Sequence, residues 1–295
     1  MWIYYGVSAG VILGFYDFWT KKAMSGNGLF QVVFYSSFFG ALLWLPVFLP
    51  QVQALSPQLK IGPVRFAEQW PILVKSLMMT LSWVFAYFSV RELPMSFSGS
   101  VRASGPLWTL AGGSVVFGEF LSPLQFTAVL VSVLCYYGLS QTGKKEGINT
   151  LRSLPVAMML LATILSSLTT VFDKYIVHNL DISAYTIQAY SSLYRFIFAA
   201  AFLFAFIRLG RSSLRCMWSL YIPLVGFSWV IAELIYFFAI TDPDANVTYL
   251  SVFRRMSLVV GFILSALFIG EKNFRRKLVI ISLIVMSTLL LIVKI

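Results

Sequence analysis

The sequence predicts an all-α polytopic membrane protein: ten transmembrane helices arranged as two inverted five-helix repeats. Three observations lead there. Of 295 residues, 59% are hydrophobic and only 11% charged, and a mean hydropathy of +0.84 lies far outside the range of soluble globular chains. Ten stretches stay predominantly apolar over roughly 20 residues, the length that crosses the hydrocarbon core of a bilayer. Finally, residues 94 to 120 and 246 to 272 share one design. Aligning Gly118-Glu119 with Gly270-Glu271 places Arg102 on Arg254 without a gap.

Composition also excludes function classes. The net charge of +11 does not point to nucleic acid, because the basic residues fall in short clusters between apolar runs, where they act as orientation signals. The two cysteines, Cys135 and Cys216, lie at or inside apolar segments with no metal or disulfide spacing, and read as small buried hydrophobes. There is one histidine, His178, and no motif that unites a nucleophile with a base, a metal or a cofactor loop. Neither enzyme chemistry nor a cofactor nor a metal is expected. The first basic residue is Lys21, after the first apolar run, so that run is expected to stay as a membrane segment rather than be cleaved as a leader.

In chain order the expected spans are 2–20, 29–49, 70–90, 95–117, 123–141, 154–176, 183–207, 217–240, 246–269 and 277–294. Short connections make sequential neighbours antiparallel hairpins. The longest connection, 50–69, holds Pro50, Pro57 and Pro63 and reads as a surface loop. A polar stretch, GKKEGINTLR at 143–152, separates the halves, giving a first repeat over 1–142, a linker at 143–153 and a second repeat over 154–295. The halves match at further points: Asp17 with Asp173, Tyr35-Ser36-Ser37 with Tyr190-Ser191-Ser192, and Ser82-Trp83-Val84 with Ser228-Trp229-Val230, with about six extra residues before the next match in the second half. Five segments is an odd number, so the second copy inserts upside down. Such inverted repeats characterise transporters, with a site near the midplane between them.

Orientation follows from the basic residues. Lys21, Lys22, Arg91, Lys144, Lys145, Arg152, Arg208, Arg211, Arg215, Lys272, Arg275, Arg276 and Lys277 fall on one side; Lys60, Arg65, Lys75, Lys174 and Lys294 fall on the other. The positive-inside rule makes the first side cytoplasmic and puts both termini outside.

Charge inside a span is costly and faces the protein interior, a partner or a substrate path. On segment nine, Ser251, Arg254, Arg255 and Leu258 share a helical face, with Tyr249 nearby; on segment four the corresponding face holds Ser98, Arg102, Gly105-Pro106 and Thr109. Segment six contributes Ser166, Thr169, Thr170 and Asp173, and segment seven contributes Gln188, Ser191, Ser192 and Arg195. The hydroxyl and amide groups serve equally well as interhelical hydrogen bonds or as ligand contacts. Within the segments Arg102, Lys174, Arg195, Arg254 and Arg255 stand against Asp17, Asp173 and Glu233, a surplus of two positive charges. A phosphate, at about −1.5 to −2 near neutral pH, would absorb it. Against this, Asp17, Asp173 and Lys174 lie near segment ends and Glu233 is placed to neutralise an arginine. Trp83 with Tyr87, and Trp229 with Tyr236, are spaced either to line a cavity or to pack. Asn246-Val247-Thr248 has the form of a glycosylation sequon but abuts a membrane segment.

The stretch GEFLSPLQFTAVLVSVLCYYGLS, residues 118 to 140, resembles the end of the EamA-type repeat of the drug/metabolite transporter superfamily, and GEKNFRRKLVIISLIVMSTLLLI is a weaker second copy. A narrower similarity covers Pro94 to Glu119: MSF, Arg102, Ser104-Gly105-Pro106 and Gly118-Glu119 are similar to the pattern of the sugar-phosphate and nucleotide-sugar translocator branch, whose second repeat carries a cation pair where this chain has Arg254-Arg255. The resemblance implies that Arg102, Arg254 and Arg255 bind an anion. The expected function is a secondary-active exchanger or gradient-driven transporter of a small polar, anionic or phosphorylated metabolite. Its substrate-binding candidates are Arg102, Arg254, Arg255, Arg195, Glu233, Tyr249, Trp83 and Tyr87. The alternatives are an EamA-type exporter of amino acids or drug-like metabolites, in which Glu233 and the aromatic residues hold a zwitterion or cation, and a non-transporting scaffold or lipid-carrier-binding subunit. The expected partners are a small-molecule substrate and the lipid bilayer, with no nucleic acid, in a monomer or homodimer set in the cytoplasmic membrane of a bacterium.

Overall fold

The structure, a computed structural model, describes residues 1–55, 61, 65–93, 98, 101–102, 104–118, 123, 126–127, 130–131, 134, 153–180, 182–210, 216–268, 279 and 282–283. All regular structure among them is helical: α1 (Trp2–Met24), α2 (Leu29–Leu42), a 3-10 turn at Leu45–Phe48, α3 (Pro50–Leu55), α4 (Phe66–Glu92), α5 (Gly105–Phe117), α6 (Leu154–Asn179), α7 (Ala184–Arg208), α8 (Tyr221–Ile240), α9 (Val247–Arg254) and α10 (Met256–Phe268). Among the described residues, five helical stretches are long and apolar enough to cross a membrane: Gln69–Glu92, Leu154–Asn179, Ala184–Arg208, Tyr221–Ile240 and Val247–Phe268, the last running through α9 and α10. The expected fifth and tenth spans, the linker at 143–152, Cys135 and the Glu119/Glu271 anchors of the repeat alignment lie wholly or mostly outside the described residues.

Local chemistry sets the helix ends. The Ser183 side chain accepts from the Thr186 amide and opens α7. Asn246 accepts from the Thr248 and Tyr249 amides at 2.9 and 3.2 Å, so the residue of the formal sequon is the N-cap of α9. Pro106 and Pro155 sit in the first turns of α5 and α6, where the missing N–H costs nothing. Gly118 closes α5 at φ 64°, a left-handed conformation that glycine adopts without penalty.

Three expected spans are less regular than their hydropathy suggests. The second was read as one helix over 29–49, but α2 stops at Leu42 and gives way to the 3-10 turn around Pro46, whose ring cannot extend the α pattern. The fourth breaks at Ser104, where the Ser104 amide donates to Val101 O and Leu107 to Ser104 O, both three-residue steps, just ahead of Pro106. The ninth breaks at Arg255, where Arg255 donates to Val252 O and Leu258 to Arg255 O, each at 2.9 Å. The repeat alignment puts Arg255 opposite Ala103. The two interruptions therefore fall within one residue of each other in register.

Elements of the two halves pack on one another: α1 lies along α8, α9 and α10, α2 along α7 and α8, α4 along α6 and α7, and α5 along α6 and α9. Glycines spaced by four on α1 explain the closest of these approaches. A side chain at Gly10 would strike the Phe253 carbonyl, one at Gly14 the Val260 side chain, and one at Gly6 would lie 3.0 Å from Leu250. Gly226 of α8 meets the backbone of Ser36 and Gly40 on α2 in the same way. At Gly10 and Gly226 the helix backbones thus meet without intervening side chains.

Candidate functional site

Buried charge gathers where the halves meet, and it is organised in pairs. Arg102 Nη1 donates to Asp17 Oδ1 at 2.5 Å. Arg254 Nη2 donates to Glu233 Oε1 at 2.6 Å, with its guanidinium 4.4 Å from the Tyr236 ring. Lys75 Nζ contacts Asp173 Oδ1 at 2.5 Å and lies 4.3 Å from the Phe237 ring. Lys75 is 2% exposed and Asp173 0%. In lipid such charges persist only when paired or facing the protein interior.

Two corrections follow. Lys75, counted among the basic residues of the outer surface, is an interior residue of α4. Asp17 and Asp173, expected as groups near segment ends, are instead bound to Arg102 and Lys75, while Glu233 does neutralise an arginine, Arg254, which is one of the two roles the sequence leaves open for it. Sequence reasoning missed Lys75, although a lysine some six residues inside an apolar span, in a chain with an intramembrane aspartate, is itself the signal.

Arg195 stands differently. It is 4% exposed, and no carboxylate lies in ion-pair range of it among the described residues. Nε donates to Ser191 O at 3.2 Å and Nη2 to Ser192 Oγ at 3.0 Å. Its guanidinium lies 5.3 Å from the Trp83 ring and 5.5 Å from the Trp229 ring, and these two indoles meet edge to face at 4.8 Å. Cation–π attraction offsets part of the desolvation cost. The surrounding pocket is completed by Ser36, Ser37, Gly40 and Gly226, and its open space of about 10 Å³ is room for roughly one water. Ser37 Oγ, Trp83 Nε1 and Trp229 Nε1 are buried there without a hydrogen-bond partner among the described residues. Extending the Tyr-Ser-Ser match by three residues sets Gly40 opposite Arg195. One repeat supplies the cation and the other the space beside it.

Of the remaining candidates, Tyr87 joins this group. Its ring stacks on Trp83 at 6.2 Å and its hydroxyl shares a 2.9 Å hydrogen bond with Tyr16, whose ring lies 5.1 Å from Trp229. The faces of segments four and nine also meet: Thr109 Oγ1 donates to Ser251 Oγ at 3.2 Å, and the Arg255 guanidinium rests directly on Gly105, in the space a side chain there would take. Tyr249 is instead stacked on Trp2 at 6.4 Å. A wider, mainly apolar cleft of about 800 Å³ opens between the ends of α2, α4, α6 and α7, lined by Phe30, Gln31, Phe85, Phe88 and Arg91; none of the eight candidates lines it.

A helical chain with several apolar spans, and with its polar and charged side chains gathered between its halves, is a polytopic membrane protein. The chain belongs to the EamA-like transporter family, whose pattern matches residues 1–141 and again residues 153–293. It is thus a membrane transporter built from two copies of the EamA unit. The match stands at the level of this family and gives no support to the sugar-phosphate branch. No curated protein matches the chain. A solved structure, titled only as the crystal structure of a protein, is similar in fold at a TM-score of 0.72 and 14% identity, over 98% of this chain and 94% of that one.

Proposed function

We propose that this transporter is secondary-active and carries a small anionic metabolite by alternating access, and that the anion binds at Arg195. The observation that carries the reading is the isolation of that guanidinium: among the described residues Lys75, Arg102 and Arg254 have carboxylate partners, and Arg195 has two indoles and two serines. A planar guanidinium with unpartnered indole N–H and hydroxyl groups nearby suits the oxygens of a carboxylate or phosphate. In a non-transporting scaffold every buried arginine would be expected to have an acid beside it. Arg254, Arg255 and Arg102 remain candidates for the same path, and the paired breaks at Ser104 and Arg255 are the kind of discontinuity on which transporters build such sites.

The arrangement we infer is two inverted five-helix repeats over 1–142 and 154–295, as monomer or homodimer, in the cytoplasmic membrane of a bacterium. Exchange or an ion gradient supplies the energy. A phosphorylated substrate is favoured only by the local likeness of Pro94–Glu119 to sugar-phosphate translocators. Uptake of a radiolabelled metabolite panel into proteoliposomes tests the reading. Competition by inorganic phosphate or simple carboxylates is expected. Uptake confined to cations or neutral solutes overturns it, and zwitterion transport indifferent to phosphate would point to amino-acid export, with Glu233 as the ammonium partner.

A further inference from the structure

The two halves share an acid and a base but not the way they pair. Asp17 and Arg102 of the first half bind each other at 2.5 Å. Their repeat counterparts, Asp173 and Arg254, do not: Asp173 is held by Lys75 and Arg254 by Glu233. Matching Trp83 with Trp229 sets Tyr87 opposite Glu233 and Tyr221 opposite Lys75. The asymmetry thus consists of one added acid and one added base. The two pairs lie side by side against consecutive residues of α8, with Lys75 Nζ 4.3 Å from the Phe237 ring and the Arg254 guanidinium 4.4 Å from the Tyr236 ring. Asp173 lies in the fields of Lys75, Glu233 and Arg254 together.

Both acids are enclosed, Asp173 at 0% and Glu233 at 1% exposure, and Asp173 Oδ2 and Glu233 Oε2 make no hydrogen bond among the described residues. Two carboxylates that sense each other away from water hold a second negative charge poorly. We propose that Glu233 and Asp173 form a proton-binding site that takes up one proton between them, with Arg254 passing from Glu233 to Asp173 as the proton arrives, so that transport is coupled to protons. The proton adds to one of the two free carboxylate oxygens, Glu233 Oε2 or Asp173 Oδ2, and leaves to water on the opposite face; no other bond is made or broken. Binding it changes the four-residue cluster from neutral to +1. Arg195 lies in the fields of Glu233 and Asp173, so the added charge favours a bound anion beside it, and a proton and a monoanion cross together without moving net charge. This coupling rests on the anion reading, but the proton site itself does not.

The groups that face the cluster define its surroundings. They are Tyr236 on α8, in contact with Arg254; Arg195 on α7, with Tyr87 on α4 and Tyr16 on α1 beside it; and Arg102, bound to Asp17 of α1. Lys174 of α6 is directed instead to the Ala245 carbonyl, and α10 brings no titratable residue.

The test uses protons alone. Infrared difference spectra of the purified full-length protein in liposomes, recorded without any anionic substrate across roughly pH 4 to 9, a span wide enough for a displaced carboxylate, report a protonated carboxyl directly. A carboxyl band that rises on acidification and is lost completely in Glu233→Gln is expected, with Asp17→Asn leaving it in place. A site shared by both acids requires Asp173→Asn to remove or shift the band as well; loss in Asp173→Asn with the band intact in Glu233→Gln would place the proton on Asp173 alone and overturn the sharing. A band removed only by Asp17→Asn, or one unchanged in Glu233→Gln and Asp173→Asn alike, overturns the proposal. If Glu233→Gln elutes as aggregate, Glu233→Asp serves, since the band must then change position. With no anion in the sample, this result stands or falls separately from phosphate competition in the uptake assay.

Discussion

Asp173 of α6 is bound by Lys75 of α4 at 2.5 Å, deep in the region where the halves pack. An ammonium and a carboxylate this enclosed tolerate each other's presence far better than either tolerates the other's removal. Lys75→Met should therefore destabilise the protein by about 3–5 kcal/mol, the range found when one member of a buried pair is lost. The double variant Lys75→Met/Asp173→Leu should recover most of that loss. Thermal unfolding in detergent, with the two single variants alongside, measures both.

The α1 glycines make a prediction of a different kind. A methyl at Gly10 meets the Phe253 backbone rather than a yielding side chain. Gly10→Ala should cost about 1–3 kcal/mol, as overpacking does in well-filled interiors. Ala9, buried on the same helix, gives the comparison, since Ala9→Gly removes a methyl from the α1 surface without adding bulk. Melting temperatures that rank Gly10→Ala no lower than Ala9→Gly would remove the close approach from the account.

Gross architecture was legible because it depends on local properties. Twenty apolar residues announce a span wherever they occur, and the Gly-Glu pairs that align Arg102 with Arg254 are short and contiguous. The partners of these charges were not legible, because they depend on which helices meet. Asp17 lies 85 residues from Arg102, and nothing nearby distinguishes an aspartate at a helix end from one that faces an arginine. By its nearness to the start of the expected span Lys75 reads as a surface residue, yet α4 begins at Phe66 and carries it inward. In the sequence Arg195 is one of eight candidates, with nothing to prefer it. Its isolation emerges only once the carboxylates have been assigned to other cations. The glycine spacing on α1 was readable, but its meaning required the helix it faces.

Orientation is open to a labelling test at the α1–α2 turn, where Ser25 is exposed. In a Cys135→Ser/Cys216→Ser background, a thiol at Ser25→Cys should react with an impermeant reagent only after the membrane is permeabilised. The assignment of that side as cytoplasmic rests on Lys21, Lys22, Arg91 and Arg208. Modification in intact cells would reverse it. In the otherwise native protein, partial burial pushes the Cys216 thiol above its ordinary range. Its thiolate is therefore scarce near neutral pH, and alkylation should be slow there and quicken as the pH rises past about 9. A rate already at its plateau near neutral pH would contradict that burial.

Arg195 carries the central functional prediction. Trp83 and Trp229 lie 5.3 and 5.5 Å from its guanidinium, while Ser191 O and Ser192 Oγ hold Nε and Nη2. A solute anion has the remaining donors to bind. Arg195→Gln removes the charge but can keep a hydrogen bond to Ser192, so the protein should fold; transport should fall by about 100-fold, the equivalent of roughly 3 kcal/mol, at the upper end of what hydrogen bonds to a charged group contribute. Arg195→Lys keeps the charge, loses the planar fork, and should retain a measurable fraction of the rate with weaker apparent affinity. Gly40→Ala places a methyl in the pocket beside Arg195, 3.4 Å from Val230, a contact the fold can accept and a solute in that pocket would feel. It should weaken binding while leaving the melting temperature near that of the parent protein. Initial rates at equal membrane abundance decide the matter: if Arg195→Gln transports like the parent, Arg195 is structural and the anion binds elsewhere or not at all.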